Sequence, residues 1–178
     1  MTQHRLLFVC RDNTCRSVLA EAAMRLLIAQ EDRLDDFLLA SRGVKDGAGA
    51  KASRMTLGAA ARAGVDLSGF RTRKIAASDF RNFELLLAVD VASRNALMEM
   101  APAGCESRIH LLLDFAPWIG TDEVPDPTFE GDAAADDVFE LLQIAARSLV
   151  DVIDQSLSSY ALPAPAFAPV SAKLASVR

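Results

Sequence analysis

The first apolar run, and where it stops, constrains this chain most. Leu6-Leu7-Phe8-Val9 leads without a break into Cys10-Arg11-Asp12-Asn13-Thr14-Cys15-Arg16-Ser17, and an amphipathic stretch follows at once. A short run that is apolar at every position reads as a strand buried on both faces. Beyond the loop, Val18, Ala22 and Leu26 recur at helical spacing beside Leu19, Ala23 and Leu27, while Glu21 and Arg25 form an exposed i, i+4 pair. Strand, tight polar loop and helix in direct succession place the loop at the carboxyl end of a strand. In open α/β sheets that is where ligands bind.

Three more runs have the same character: Phe37 to Ala40, Leu85 to Val89 and Ile109 to Leu113. Helical patterns lie between and after them. One covers Ser53 to Ala63 and is stopped by Gly64. Another starts at the N-cap Asp90 and ends before Pro102. The longest carries Val138, Leu141, Leu142, Ala145, Leu149 and Val152 along one face. The expected fold is α/β in three layers, a four-stranded parallel sheet of flavodoxin-like order 2-1-3-4 flanked by helices. Residues 1–155 form the domain, and the Ala/Pro-rich stretch 156–178 reads as a C-terminal extension.

A chain of 178 residues, 51% apolar with a formal charge of −5, suits one globular domain and argues against disorder. An acidic chain is a poor generic partner for nucleic acid. No run approaches the roughly 20 apolar residues of a membrane span, and no export signal is visible. Three cysteines do not make a disulfide scaffold. The expected setting is cytoplasmic, with no membrane or nucleic-acid partner and a monomer or weak homodimer. Residues 40–75 hold eight basic side chains (including Arg42, Lys45, Arg54, Arg62 and Arg73), and residues 114–140 hold nine acidic ones. Two readings fit: oppositely charged solvated faces, or a basic border that steers an anion into a site.

The loop supplies the chemistry. A helix N-terminus offers free N–H groups and the positive end of the helix dipole. A loop of Arg11, Asp12, Asn13, Thr14 and Cys15 can curl its amides round a tetrahedral oxyanion as a nest. Arg16 adds a planar two-pronged donor. Cys10 at the start of the loop faces the anion's centre, and these surroundings favour the nucleophilic thiolate. Ser17 is placed to donate a hydrogen bond to it. Asn13 tolerates left-handed backbone and can brace the loop. A lone Cys at a strand end would read as core packing; with Arg16 and Ser17 at this spacing it reads as a phosphate-binding loop.

Leu7-Phe8-Val9-Cys10, Asn13, Cys15-Arg16-Ser17 and Ala20-Glu21 resemble the signature of the low-molecular-weight protein tyrosine phosphatases. Val124-Pro125-Asp126-Pro127, followed by Phe129 and Gly131, is similar to that family's acid loop. Ser41 with Gly43, Gly64 to Gly69 and Leu111 to Phe115 also look like family segments. The resemblance spans about residues 5–155. It implies a metal-independent phosphomonoester hydrolase acting on phosphorylated protein or a small aryl phosphate, with no cofactor. Cys10 would be the nucleophile, Arg16 the anion clamp and Asp126 the general acid and then base. It further implies that Cys15 is a redox partner protecting Cys10; on residue chemistry alone Cys15 is equally an inert loop thiol.

The chain departs from the family pattern in places. Asp12 stands where Gly is usual, Val18 where Pro is common and Thr128 where Tyr is frequent. Lys45 to Ala48 lacks the aromatic that often lines the pocket mouth. Asp12 should repel a phosphate unless it points outward or pairs with Arg11. Two other functions share parts of this pattern. A thiol-coupled arsenate reductase needs two further cysteines to relay a disulfide, and only Cys105 lies outside the loop. A phosphate- or phosphoprotein-binding module would keep the loop and lose turnover. Gly47-Ala48-Gly49 with Lys51 is no Walker loop. His4 and His110 are too scattered for a metal site, so none is assigned.

Overall fold

The computed structural model describes residues 3–45 and 47–158. Four strands, β1 (His4–Cys10), β2 (Phe37–Gly43), β3 (Leu85–Ala88) and β4 (Ile109–Leu111), form one sheet of order β2-β1-β3-β4. All three pairings are parallel. The helices are α1 (Arg16–Gln30), α2 (Arg54–Arg62), α3 (Asp79–Asn82), α4 (Val91–Met100) and α5 (Asp132–Ser158). The expected order and class are those of the molecule.

Side-chain alternation along β1 divides the core. Leu6, Phe8 and Cys10 point to the face covered by α1 and α5, where Leu19, Met24, Val138, Leu142 and Leu149 are buried. Leu7 and Val9 point to the other face, against Phe80, Phe83, Leu97, Ile109 and Leu111. Both faces are dry, which is why the strands read as continuous apolar runs. α1 lies between sheet and α5, so its buried residues run from Ser17 to Ile28 and exceed a single stripe. Truncating a fully buried anchor such as Phe8 to Ala costs about 3–5 kcal/mol.

The helix boundaries follow from local chemistry. The Ser53 side chain accepts from the Thr56 N–H to open α2, and Gly64 turns the chain with φ +83° after it. Asp90 caps α4 by accepting from the Ser93 N–H at 2.6 Å.

Three details correct the sequence reading. The fourth strand stops at Leu111, because the Asp114 carboxylate accepts the Leu111 N–H at 3.1 Å and winds Leu112–Phe115 into a 3-10 turn. On α5, Phe139, Ala146, Val150 and Ile153 are buried, whereas Leu141 and Val152 are only part-buried. The short helix α3 has no apolar period and escapes pattern reading; its Asp79 is buried against Arg42, 3.3 Å away. α5 runs to Ser158, and the rest of the Ala/Pro-rich stretch 156–178 lies outside the described residues. Among the described residues no helix is long and apolar enough to cross a membrane.

Candidate active site

β1 ends at Cys10, paired with Gly43 of β2 and level with the carboxyl end of β3. Gly43 is glycine for a steric reason: a Cβ there would sit 3.0 Å from the Asn13 nitrogen and from the Asp12 carbonyl carbon. The loop therefore rests directly on β2. It is held from outside as well, since Val44 N–H donates to the Cys10 carbonyl, Lys45 N–H to that of Arg11 and Ser53 N–H to that of Thr14.

Asn13 shapes the loop from within. It is fully buried, with φ +54°, the left-handed conformation that Asn tolerates. Its amide N–H lies 3.3 Å from Cys10 Sγ, its Nδ2 donates to Ser17 Oγ at 3.0 Å and its Oδ1 accepts the Arg73 N–H at 2.8 Å. Ser17 Oγ is 2.9 Å from Cys10 Sγ. A thiolate accepts only, so a Ser17 hydroxyl donating to sulfur while accepting from Asn13 satisfies all three groups. Among the described residues no side chain caps α1, leaving its first-turn N–H groups and dipole to the loop.

Arg16 opens α1 and reaches across the sheet edge. Its Nη1 lies 2.8 Å from Asp90 Oδ2 and donates to the Val124 carbonyl at 3.2 Å. Its Nη2 lies 3.3 Å from Asp126 Oδ2. The Nη1 end is thus committed to holding the guanidinium in place. Nε–H and Nη2, on the opposite edge, form the fork that suits two oxygens of a tetrahedral anion.

Asp126 comes to this point from a distant part of the sequence. The Val124 N–H donates to the Val89 carbonyl, anchoring the acid loop to the end of β3. Thr128 donates both its N–H, at 3.1 Å, and its hydroxyl to Asp126 Oδ1. Burial acts to raise the pKa of this carboxyl, but the Thr128 hydrogen bonds and the attraction of Arg16 and Arg11 outweigh it and hold the value below the ordinary one. Asp12 is exposed, with Oδ2 3.8 Å from Arg11 Nε, a loose solvent-facing pair. A groove of about 310 Å³ opens beside the loop, lined among others by Thr14, Cys15, Arg54, Thr128 and Asp132.

Cys10, Arg16, Asp126, Asn13 and Ser17 thus share one site. Cys15 is there too, a free buried thiol whose pKa is pushed up mainly by burial, against a hydrogen bond with Thr56. Cys105 lies in the core on the other face of the sheet, beside Arg108 Nη2 at 2.9 Å. Phe115 is buried, while Trp118 is exposed. The basic segment is partly spent on structure, because Arg42 binds Asp79 and Arg62 binds Asp136. The residue that pattern reading underrated is Asp90. Its helix cap was legible, its ion pair with Arg16 was not. The available signal was an acidic residue just beyond a strand neighbouring β1, at the same sheet edge as the loop.

The match to a family model described as low molecular weight phosphotyrosine protein phosphatase covers residues 5–159. The chain belongs to this family. It is 31% identical over 149 residues to low molecular weight phosphotyrosine protein phosphatase 2 of Drosophila melanogaster, covering 82% of this chain and 89% of the relative. It is also 31% identical over 142 residues to the Escherichia coli low molecular weight protein-tyrosine-phosphatase Etp, covering 80% and 89%. Among solved structures, the protein tyrosine phosphatase of Entamoeba histolytica with Hepes in its active site superposes with a TM-score of 0.80 at 28% identity, covering 87% of this chain and 99% of that one. YfkJ from Bacillus subtilis gives 0.80 at 27%, covering 88% and 98%.

Proposed function

We propose that this family member hydrolyses phosphate monoesters, protein phosphotyrosine foremost, through a cysteinyl-phosphate. The observation that carries the reading is the convergence on one loop: Cys10 Sγ between the Asn13 N–H and Ser17 Oγ, and Arg16 linking that loop to Asp126. The phosphoryl group sits in the loop with two oxygens on the Nε–Nη2 edge of Arg16, beside Asp126. The Cys10 thiolate attacks phosphorus as the P–O bond to the leaving group breaks, and the Asp126 proton goes to the departing oxygen. The loop amides and Arg16 hold the equatorial oxygens throughout. In the second step Asp126, now a carboxylate, takes a proton from water as the water oxygen attacks phosphorus. The S–P bond then breaks, and phosphate and thiolate are released.

Arsenate reduction finds no support in this arrangement, since Cys105 lies across the sheet from Cys10 and Cys15. We assign to Cys15 the protection of Cys10 by a reversible disulfide.

The test is steady-state hydrolysis of aryl phosphates under reducing conditions. Wild type is expected to turn over. Cys10→Ser is expected to lose all activity, and Asp126→Asn to lose about a hundredfold or more on poor leaving groups and less on good ones. Tight phosphate binding by a wild-type protein that turns over no aryl phosphate would leave a binding module instead.

A further inference from the structure

Asp126 is held asymmetrically. Oδ1 accepts two donors from one residue, the Thr128 N–H at 3.1 Å and the Thr128 hydroxyl. Oδ2 faces Arg16 Nη2 at 3.3 Å, on the side of the phosphate loop. The turn itself needs only the first bond: Asp126 caps the 3-10 turn Pro127–Phe129 through the Thr128 N–H, which any residue but proline would supply there. The hydroxyl bond is additional. Thr128 is exposed and lines the groove beside the loop, and neighbouring Phe129 is 96% exposed, so neither side chain packs the acid loop in place. The loop's position comes instead from buried Pro127, from the Val124 N–H on the Val89 carbonyl and from Arg16 on the Val124 carbonyl. Side chain 128 is therefore free to serve the carboxyl rather than the fold.

We propose that Thr128 is a positioning residue for proton transfer: it pins Oδ1 of Asp126, so that Oδ2 is the oxygen that gives its proton to the leaving group and later takes one from water. This rests on the general-acid role of Asp126 in the proposed function. In the first step the Oδ2–H bond breaks, the proton joins the leaving-group oxygen, and the carboxylate left behind keeps both Thr128 donors on Oδ1. In the second step Oδ2 takes the water proton while Oδ1 stays held. The other groups acting on Asp126 are Arg16 of α1, itself bound to Asp90, Arg11 of the loop, and the Cys15 thiol. All stay in place when only the hydroxyl of residue 128 is removed.

The experiment is single-turnover release of the leaving group from aryl phosphates of graded leaving-group acidity, across the acid-to-neutral range, for wild type, Thr128→Ala, Thr128→Ser and Asp126→Asn. The sign of the pH effect is fixed by the donor lost: without the hydroxyl the carboxylate is less favoured, the proton is kept to higher pH, and the basic limb moves up. For Thr128→Ala we expect an upward move of about one pH unit and, on the acid side of the limb where Asp126 is protonated in both proteins, release on the order of tenfold slower for poor leaving groups only. Thr128→Ser restores both. If Asp126→Asn flattens the basic limb while Thr128→Ala keeps the wild-type limb and leaving-group dependence, Thr128 is merely a turn residue and the inference is overturned. If Asp126→Asn itself behaves as wild type, the acid assignment fails, and the inference falls with it.

Discussion

Asp90 places one carboxylate oxygen 2.8 Å from Arg16 Nη1 and the other 2.6 Å from the Ser93 N–H. The same side chain thus starts α4 and fixes the guanidinium of Arg16. Both ion-pair partners are mostly buried, so the pair cannot be opened cheaply, and an Arg16 left without Asp90 would keep only the half-exposed Asp126 carboxylate, 3.3 Å from Nη2, as a counter-charge.

Two substitutions separate these duties. Asp90→Asn keeps an oxygen for the cap and loses the charge opposite Arg16. It is expected to lower kcat/KM by about tenfold to a hundredfold through misplacement of the clamp, with a modest loss of stability. Asp90→Ala loses the cap as well and is expected to cost about 3 kcal/mol in urea unfolding. Equal kinetics in wild type and Asp90→Asn would remove Asp90 from the positioning of Arg16.

Gly43 tests the support beneath the loop. Its added Cβ would meet the backbone of Asp12 and Asn13 at 3.0 Å, and backbone at that range cannot swing aside as a long side chain can. Gly43→Ala is expected to weaken competitive inhibition by inorganic phosphate by about tenfold and to cost about 1–3 kcal/mol of stability. An unchanged inhibition constant would mean that the loop does not rest on β2 as described.

The fold was legible because burial on both sheet faces writes strands as unbroken apolar runs, and because Ser53 and Asp90 announce helix starts. The loop from Cys10 to Ser17 was legible as a strand-to-helix turn because its polar and cysteine residues lie within eight consecutive positions. The contacts that complete the site were less so. Arg16 to Asp90, Arg42 to Asp79 and Arg73 to Asn13 join residues brought together only by strand order and crossover. β4 ended early because the side chain of Asp114, three residues on, competes for a backbone N–H, a choice that an apolar run does not reveal.

His110 lies in β4 with Nε2 3.0 Å from the Ser107 carbonyl and its ring edge-on to Phe115. Burial lowers its pKa, against the opposing pull of the Ser107 carbonyl and Asp114. Unfolded, it titrates near the ordinary value of about 6.5. Just below that pH the unfolded chain holds a proton that the folded chain does not, so stability falls as pH drops, until the folded pKa is passed. His110→Gln is expected to flatten this part of the stability curve, measured as urea midpoints at a series of mildly acidic pH values. A curve with its slope intact would assign the dependence to other groups.

Cys15 should report on the oxidation of its neighbour. Peroxide oxidises the Cys10 thiolate to the sulfenic acid, and attack by Cys15 sulfur expels hydroxide and closes the disulfide. Peroxide-treated wild type is expected to recover with a thiol reductant, whereas Cys15→Ser is expected to pass to the irreversible acid and stay inactive. Because burial raises the Cys15 pKa, disulfide closure is expected to quicken as pH rises. Equal recovery in both proteins would remove the protective role.

The most direct measurement is acid quench of the enzyme during turnover of an aryl phosphate, followed by peptide mapping of the bound phosphoryl group. One phosphoryl group is expected, on Cys10, accumulating with the burst of leaving group and absent from Cys10→Ser. A wild-type burst with no label on Cys10, or a label on another residue, would contradict it.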